Sequence, residues 1–246
     1  MKITFLGTSH GVPMNNRFCS STMLEVNGSV YIIDGGAPVA DQLSRHGVEP
    51  KRVKAIFTTH MHADHTLGLL NFLDLCSWYY KDSSFDCYLT EEDGVKAFTD
   101  VIMVVSKKFD TERVRLRSYT AGRFYEDENI SVTAYPTLHF HNGLYPSYSL
   151  VIDAKSGERV IFTGDLHWAD AKDFPTVAKT EPSDAIVCEM AHFSHKTILP
   201  ILNECPTKRV FVNHIFFNYE ENLAAVKEAK LNMPILAVED NDSFDI

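Results

Sequence analysis

The chain has no run of about twenty apolar residues, so no helix in it is expected to span a bilayer. Cysteine is scarce and unpaired. Cys19, Cys76, Cys87, Cys188 and Cys205 are odd in number and form no C-x-x-C pair. That argues against a disulfide framework and suits reduced thiols in a cytoplasm. Positive charge is in deficit: 23 Lys and Arg stand against 33 Asp and Glu, for a formal net charge of -10. A diffuse anionic field disfavours nucleic acid and anionic membrane unless a local basic patch overrides it. A signal-peptide pattern is also lacking, since Met1-Lys2-Ile3-Thr4-Phe5-Leu6 runs directly into a strand pattern. Neither a sequence repeat nor a low-complexity linker interrupts the 246 residues, of which 45% are hydrophobic. One cytoplasmic domain over residues 1–246, with a sizeable core and no membrane association, is the expectation.

Histidine, by contrast, is concentrated. His60-Met61-His62-Ala63-Asp64-His65 follows the apolar run Val53-Lys54-Ala55-Ile56-Phe57-Thr58, which reads as a buried strand. Thr66–Leu73 has the apolar density of a buried helix. The cluster therefore sits on a strand-to-helix loop, where a rigid strand end can aim side chains into a cleft. Imidazole nitrogen and carboxylate oxygen suit zinc and its neighbours, and a catalytic zinc keeps one position open for water.

The pattern H-x-H-x-D-H after a strand resembles the signature of the metallo-β-lactamase-fold hydrolases. That resemblance implies an α/β protein, a four-layer α/β/β/α sandwich of two mixed β-sheets flanked by helices, with the metal site at one edge. The loop Gly7-Thr8-Ser9-His10-Gly11-Val12-Pro13, after a first strand at residues 2–6, resembles the opening of the ribonuclease Z branch. The related cyclic-phosphate phosphodiesterases have a similar glycine-rich loop. From the residues alone it reads as a tight turn whose N–H groups can cradle an anion. His10 occupies a variable position and inherits no role.

Thr22–Val26 and Val30–Ile33 read as a hairpin around Asn27-Gly28. Asp34-Gly35-Gly36 then matches the family's turn beneath the metals, with Asp34 as a supporting residue. Residues 37–46 suit a helix ended by Gly47, and Phe85–Leu89 a strand. Thr90 suits the cap of a helix running to about Lys108. Arg113, Arg115 and Arg117 alternate, either as a solvated edge or as a phosphate-contacting stripe. After the strand Ile130–Tyr135 come His139 and His141. In the resembled phosphodiesterases the ligand lies seven positions before an aromatic, here Tyr148, which selects His141 and leaves His139 as the alternative. Asp165, after the strand Glu158–Phe162, matches the metal-bridging Asp of the family. Only a hairpin separates His141 from Asp165, with no room for the tRNA-grasping arm that some ribonuclease Z proteins insert there. Glu189, His192, His195 and Lys196 follow another buried strand and suit an anion site. His195-x-Thr197 is similar to a phosphodiesterase element whose His contacts the scissile phosphate or leaving group. His214 ends the strand Lys208–Asn213 as the final ligand of the family does. Residues 219–231 read as an amphipathic helix, and the acidic tail 239–246 as a loosely held terminus.

The resemblance thus implies His60, His62 and His141 on one metal, Asp64, His65 and His214 on another, and Asp165 between them. Two divalent cations, zinc before manganese or iron, would activate a hydroxide, with Asp64 and His195 as catalytic residues. Diiron redox relatives carry Glu at position 62, and antibiotic-hydrolysing relatives mostly carry Cys where Asp165 stands. This sequence has neither. The expected function is a phosphodiesterase acting on a small or RNA-derived phosphodiester, with a homodimer implied by the resemblance alone. The alternatives are a lactone, thioester or carboxyl-ester hydrolase, with Trp78-Tyr79-Tyr80 as an apolar pocket, and a non-catalytic metal-binding module.

Overall fold

The structure is a computed structural model and describes residues 1–216 and 218–246. The chain falls into two compact units. The first comprises Met1–Gly7, Gly11–Thr120 and Asp240–Asp245, and the second Thr8–His10, Ala121–Glu239 and Ile246.

The first unit is built on a seven-stranded mixed sheet. Its order is β14 (Ser243–Asp245), β1 (Lys2–Gly7), β2 (Ser21–Val26), β3 (Ser29–Ile33), β4 (Val53–Phe57), β5 (Phe85–Leu89) and β6 (Val114–Ser118). Asn27 and Gly28 both have positive φ, 51° and 81°, as a two-residue hairpin turn between twisted strands demands. From β3 onward the pairing is parallel, and each crossover carries a helix: α1 (Val39–Arg45), α2 (Ala63–Trp78) and α3 (Glu92–Val105). Leu43, Leu69, Phe72, Phe98 and Ile102 of these helices pack with Leu6, Ile32, Ile56 and Cys87 of the strands.

The second unit repeats the scheme, although the sequence shows no repeat. Its order is β13 (Ile235–Ala237), β12 (Val210–Ile215), β11 (Ala185–Met190), β10 (Arg159–Phe162), β9 (Tyr148–Ala154), β8 (Ile130–Pro136) and β7 (Gly122–Glu126). Antiparallel β7–β10 lead into parallel crossovers through α4 (Thr176–Thr180), α5 (His195–Asn203) and α6 (Tyr219–Glu228). Ile198, Leu202 and Val226 close over Ile161, Ile186 and Val212. Among the described residues no helix is long and apolar enough to cross a membrane. All five cysteines are free thiols, and burial pushes those of Cys76 and Cys87 up to about 12.

Two local expectations are corrected, and one left open is decided for the solvated edge, since β6 ends its sheet. The acidic tail is not loose: β14 pairs with β1, Phe244 packs its ring against Phe5, and Asn241 N–H donates to Phe5 O at 2.7 Å. Phe244, between Ser243 and Asp245, supplies one ring that packs on the core strand, and that contact together with the pairing to β1 outweighs the polar composition. Thr90 does not cap α3, whose N-cap is Glu91, with no side-chain cap bond. The arginines form no free stripe. Arg115 and Arg117 both pair with Asp86 on β5, and Arg113 binds Asp110 and the carbonyl of Ser83.

Glycine allows α2 to start close to the turn after β3. A Cβ on Gly68 would lie 2.3 Å from Gly36 O, and one on Gly36 would lie 2.2 Å from Asp64 O. Both obstacles are backbone. Gly68→Ala should therefore lower Tm by several degrees, since overpacking of this kind costs about 1–3 kcal/mol. An unchanged melting curve would refute the close-approach argument.

Burial alone would raise the Asp86 carboxyl, but hydrogen bonds from Arg115 and Arg117 outweigh it and hold it below the ordinary carboxylate value. A depressed folded-state pKa contributes stability above the unfolded value and loses it as pH falls through the folded one. Asp86→Asn should thus destabilise at pH about 7 and converge with wild type as pH falls below about 4. Urea unfolding across that range checks it; a pH-independent difference would refute the linkage.

Candidate metal centre

In the first unit the site begins at Asp34, immediately after β3, in a left-handed conformation with φ 59°. Its carboxylate accepts from Thr59 N–H at 2.7 Å, from the Thr59 hydroxyl, and from His65 Nδ1 at 2.8 Å. Both Asp34 and His65 are buried. Because Nδ1 of His65 carries the donated proton, Nε2 carries the lone pair. That atom lies 3.5 Å from Asp64 Oδ2. His60 follows the same logic. Its Nδ1 lies 3.1 Å from Thr59 Oγ1, whose own proton goes to Asp34, so Nδ1 donates and Nε2 is left as an acceptor. Nε2 lies 3.0 Å from His62 Nδ1. The unit therefore brings His60, His62, Asp64 and His65 together at the β4–α2 junction. Cys19 stands beside them. Burial, then the Asp64 charge, raises its thiol above the ordinary value and keeps it protonated.

In the second unit the side chains come from the ends of β8, β10, β11 and β12. Asp165 is reached through Gly164, whose φ of 58° turns the chain sharply after β10. Its Oδ2 lies 3.6 Å from His139 Nε2, 3.5 Å from His214 Nε2 and 3.9 Å from His192 Nδ1. Each imidazole is fixed by its Nδ1. That of His214 donates to Ser9 O at 3.0 Å, that of His139 to Leu166 O at 3.3 Å, and that of His192 to Glu189 Oε1 at 2.9 Å. The glycine-rich loop thus contributes acceptors here: Thr8 O also takes the His214 N–H at 3.0 Å. Glu189 further accepts the N–H groups of Leu166, Ala191 and His192.

These contacts test whether the residues fit a metal. With their Nδ1 protons committed to carbonyls, His139 and His214 face one carboxylate oxygen with lone pairs, at separations beyond a hydrogen bond. Three electron-rich atoms so placed repel one another unless a cation neutralises them. In ligating histidines one nitrogen is anchored in this way while the other is directed at the metal. The donor set fits, and the His and Asp clusters suggest a divalent-metal site.

The spacing to Tyr148 in the resembled phosphodiesterases selects His141, with His139 as the alternative; the structure sets His139 beside Asp165. The chain enters a 3-10 turn, Phe140–Gly143, in which His141 and Asn142 have φ of 49° and 57°. That reversal leaves His141 exposed against Phe140 and Tyr145 and leaves His139 at Asp165. His195 begins α5, and its backbone N–H and Nδ1 both donate to Asn222 Oδ1 at 2.9 Å. Asn222, fully buried on α6, was not legible in the sequence. Nor were Trp168 or Asp173, whose carboxylate accepts the N–H groups of Leu138 and His167.

Residues 1–236 match the family described as anti-Pycsar protein Apyc1. The chain belongs to that family. A ribonuclease Z from Anoxybacillus flavithermus is 27% identical over 192 residues, covering 77% of this chain and 60% of that protein. One from Bacillus subtilis is 31% identical over 142 residues, 56% of this chain and 46% of the relative. The chain thus spans about half the length of these relatives. Among solved structures, the metallo-beta-lactamase fold protein YhfI from Bacillus subtilis superposes with a TM-score of 0.79 at 16% identity, over 99% of this chain and 98% of that one. Human tRNase Z, short form (ELAC1), gives 0.76 at 20% identity, over 100% and 99%. At these identities the likeness is one of fold: two mixed sheets flanked by helices, the metallo-β-lactamase fold. The sequence relatives place the family in the ribonuclease Z-like branch.

His139→Ala should weaken divalent-metal affinity by about ten-fold or more, and His141→Ala should leave it unchanged. Competition titration of zinc against a chromogenic chelator checks both. Equal losses would sink the assignment.

Proposed function

We propose that this protein is a metal-dependent phosphodiesterase acting on a small phosphodiester, with two divalent cations, most simply zinc. The observation that carries the reading is the set of imidazoles whose Nδ1 atoms are anchored and whose Nε2 atoms face Asp165. We take the ligands to be His60, His62, Asp64, His65, His139, Asp165 and His214, with His139 replacing His141. The nitrogen-rich set favours zinc, and the names of the ribonuclease Z relatives favour phosphoryl over acyl chemistry. In this reading the two compact units are halves of one metallo-β-lactamase-like domain.

When bound, the cations would supply Lewis-acid polarisation and an acidified water. The remaining roles belong to the chain. Asp64 is a carboxylate on the first turn of α2 and takes up the proton of the attacking water at Oδ2. His192 is locked to Glu189 and contributes a fixed ring beside Asp165. His195 delivers a proton from Nε2 to the leaving oxygen in its imidazolium form, while Asn222 Oδ1 keeps its Nδ1–H fixed and the ring orientation constant. A small substrate suits the formal charge of -10 better than an RNA does. The interval between His139 and Asp165 is also filled by the β9–β10 hairpin.

The acyl-hydrolase alternative loses its pocket. Trp78, Tyr79 and Tyr80 lie at the C-terminal end of α2, a helix of 16 residues. At about 1.5 Å per residue that puts them roughly 22 Å from the ligands at its N-terminus.

Zinc-loaded protein should hydrolyse bis(p-nitrophenyl) phosphate far faster than p-nitrophenyl acetate or a lactone. Asp165→Ala should lose on the order of 100-fold or more in phosphodiester turnover. Acyl turnover alone, or phosphodiester turnover unaffected by Asp165→Ala, would overturn the proposal.

A further inference from the structure

His10 has no role in the site described above, yet it is only 5% exposed on the glycine-rich loop after β1. A polar ring is buried only where contacts compensate for the water it gives up. One such contact is with another ring. The imidazole lies on Phe216, with centroids 3.9 Å apart and planes inclined by 39°. It also stands edge-on to His214, at 6.4 Å and 86°.

The neighbours of His10 meet the same short segment. Thr8, Ser9 and His10 belong to the second unit, as do His214 and Phe216. Thr8 O accepts the backbone N–H of His214 at 3.0 Å, and Ser9 O accepts from its Nδ1 at 3.0 Å. The Ser9 hydroxyl donates to His10 O at 3.1 Å and tightens the loop. The far side of the segment is tied to the sheet: Ile215 pairs with Met190, and Phe216 N–H reaches Met190 O at 3.4 Å. His214 stands within this frame at a φ of 52°. A residue other than glycine keeps that conformation only where its surroundings over-determine it. Two carbonyls can do so only if the loop that carries them is itself held. The His10–Phe216 stack is a side-chain contact between that loop and the end of β12, directly beside the two backbone acceptors.

We propose that His10 is a positioning residue. Its stack on Phe216 clamps Thr8–His10 onto the end of β12, so that Ser9 O holds His214 in the tautomer whose Nε2 is available to a metal. The proposal rests on the ligand assignment of His214 made above and adds the residue that enforces it. A carbonyl only accepts, so it selects the Nδ1–H tautomer for as long as it stays within hydrogen-bond reach. Once Ser9 O drifts away, the proton can move to Nε2 and the lone pair is lost to the metal. The clamp works through the face of the ring and not through its nitrogens, so a benzene ring at position 10 should serve as well.

The tautomer is read directly in the metal-free protein by long-range proton–nitrogen correlation of its imidazoles. The spectra are taken at about pH 8, where an ordinary imidazole is neutral, and the His214 signals are assigned from His214→Gln. Wild type should show His214 protonated at Nδ1. His10→Ala and Phe216→Ala should each show a mixture of tautomers, and His10→Phe should keep the wild-type form. Phe216 is 37% exposed, so Phe216→Ala removes the stack without opening the core. Zinc titration against a chromogenic chelator should follow the same pattern. Binding should weaken on the order of ten-fold in His10→Ala and in Phe216→Ala, with no further loss in the double variant and wild-type affinity in His10→Phe. A lower Tm in His10→Ala, with the His214 tautomer and the zinc affinity unchanged, would assign His10 to packing alone and overturn the proposal. A loss in His10→Phe equal to that in His10→Ala would place the effect on the imidazole nitrogens and overturn it too. A wild-type protein that binds no divalent metal would sink the proposed function, while the tautomer comparison would still decide the clamp.

Discussion

Three imidazoles at the candidate centre, those of His65, His139 and His214, each have one nitrogen held by an oxygen from elsewhere in the chain, and the folds of both units serve to deliver those oxygens. His65 is held by Asp34, 31 positions earlier, and His139 by the carbonyl of Leu166, 27 positions later. His214 is held by the carbonyl of Ser9, 205 positions away. Without these bonds a ring can flip, change tautomer, and present a proton where a lone pair is needed. The turn after β3, the loop after β1 and the turn after β10 are positioned by sheet pairing before they can act as acceptors. The site's chemistry is therefore a consequence of strand register.

Backbone conformation contributes in the same direction. Asp34 and His214 both adopt left-handed φ, 59° and 52°. Neither residue favours that region as glycine does. The Asp34 carboxylate is compensated by three donors, and His214 by two bonds to the Thr8–Ser9 carbonyls. The adjoining glycines act differently: Gly36 and Gly68 are required because backbone meets backbone. A site built at strand ends gains rigidity from the sheet, and the sharp turns let successive side chains converge.

The cluster from His60 to His65 was legible because it is local. Four ligand-type residues in six positions after an apolar strand need no tertiary information to be noticed. The anchors were mostly not legible, since a carbonyl such as Leu166 O carries no sequence signal. His141 was preferred to His139 because of the spacing to Tyr148 in the resembled phosphodiesterases, whereas two consecutive left-handed residues, His141 and Asn142, turn the chain so that His139 is the one beside Asp165. The acidic tail concealed β14 for a similar reason: composition averages over a stretch, whereas pairing with β1 needs only open backbone groups and one ring, Phe244, to bury. The arginines of residues 113–117 could be placed on one face by alternation, but only the neighbouring strand supplied Asp86 to occupy two of them.

By itself the sequence determined most element types, the concentration of ligand-type side chains on the β4–α2 loop and the absence of a long apolar span. These follow from periodicity and from residue chemistry over short distances, where a few neighbouring positions carry the whole signal. Only the tertiary structure decided which histidine joins Asp165 and which nitrogen of each ring is available. Those outcomes depend on hydrogen bonds between residues far apart in the chain, and such partners become neighbours only after the strands have paired.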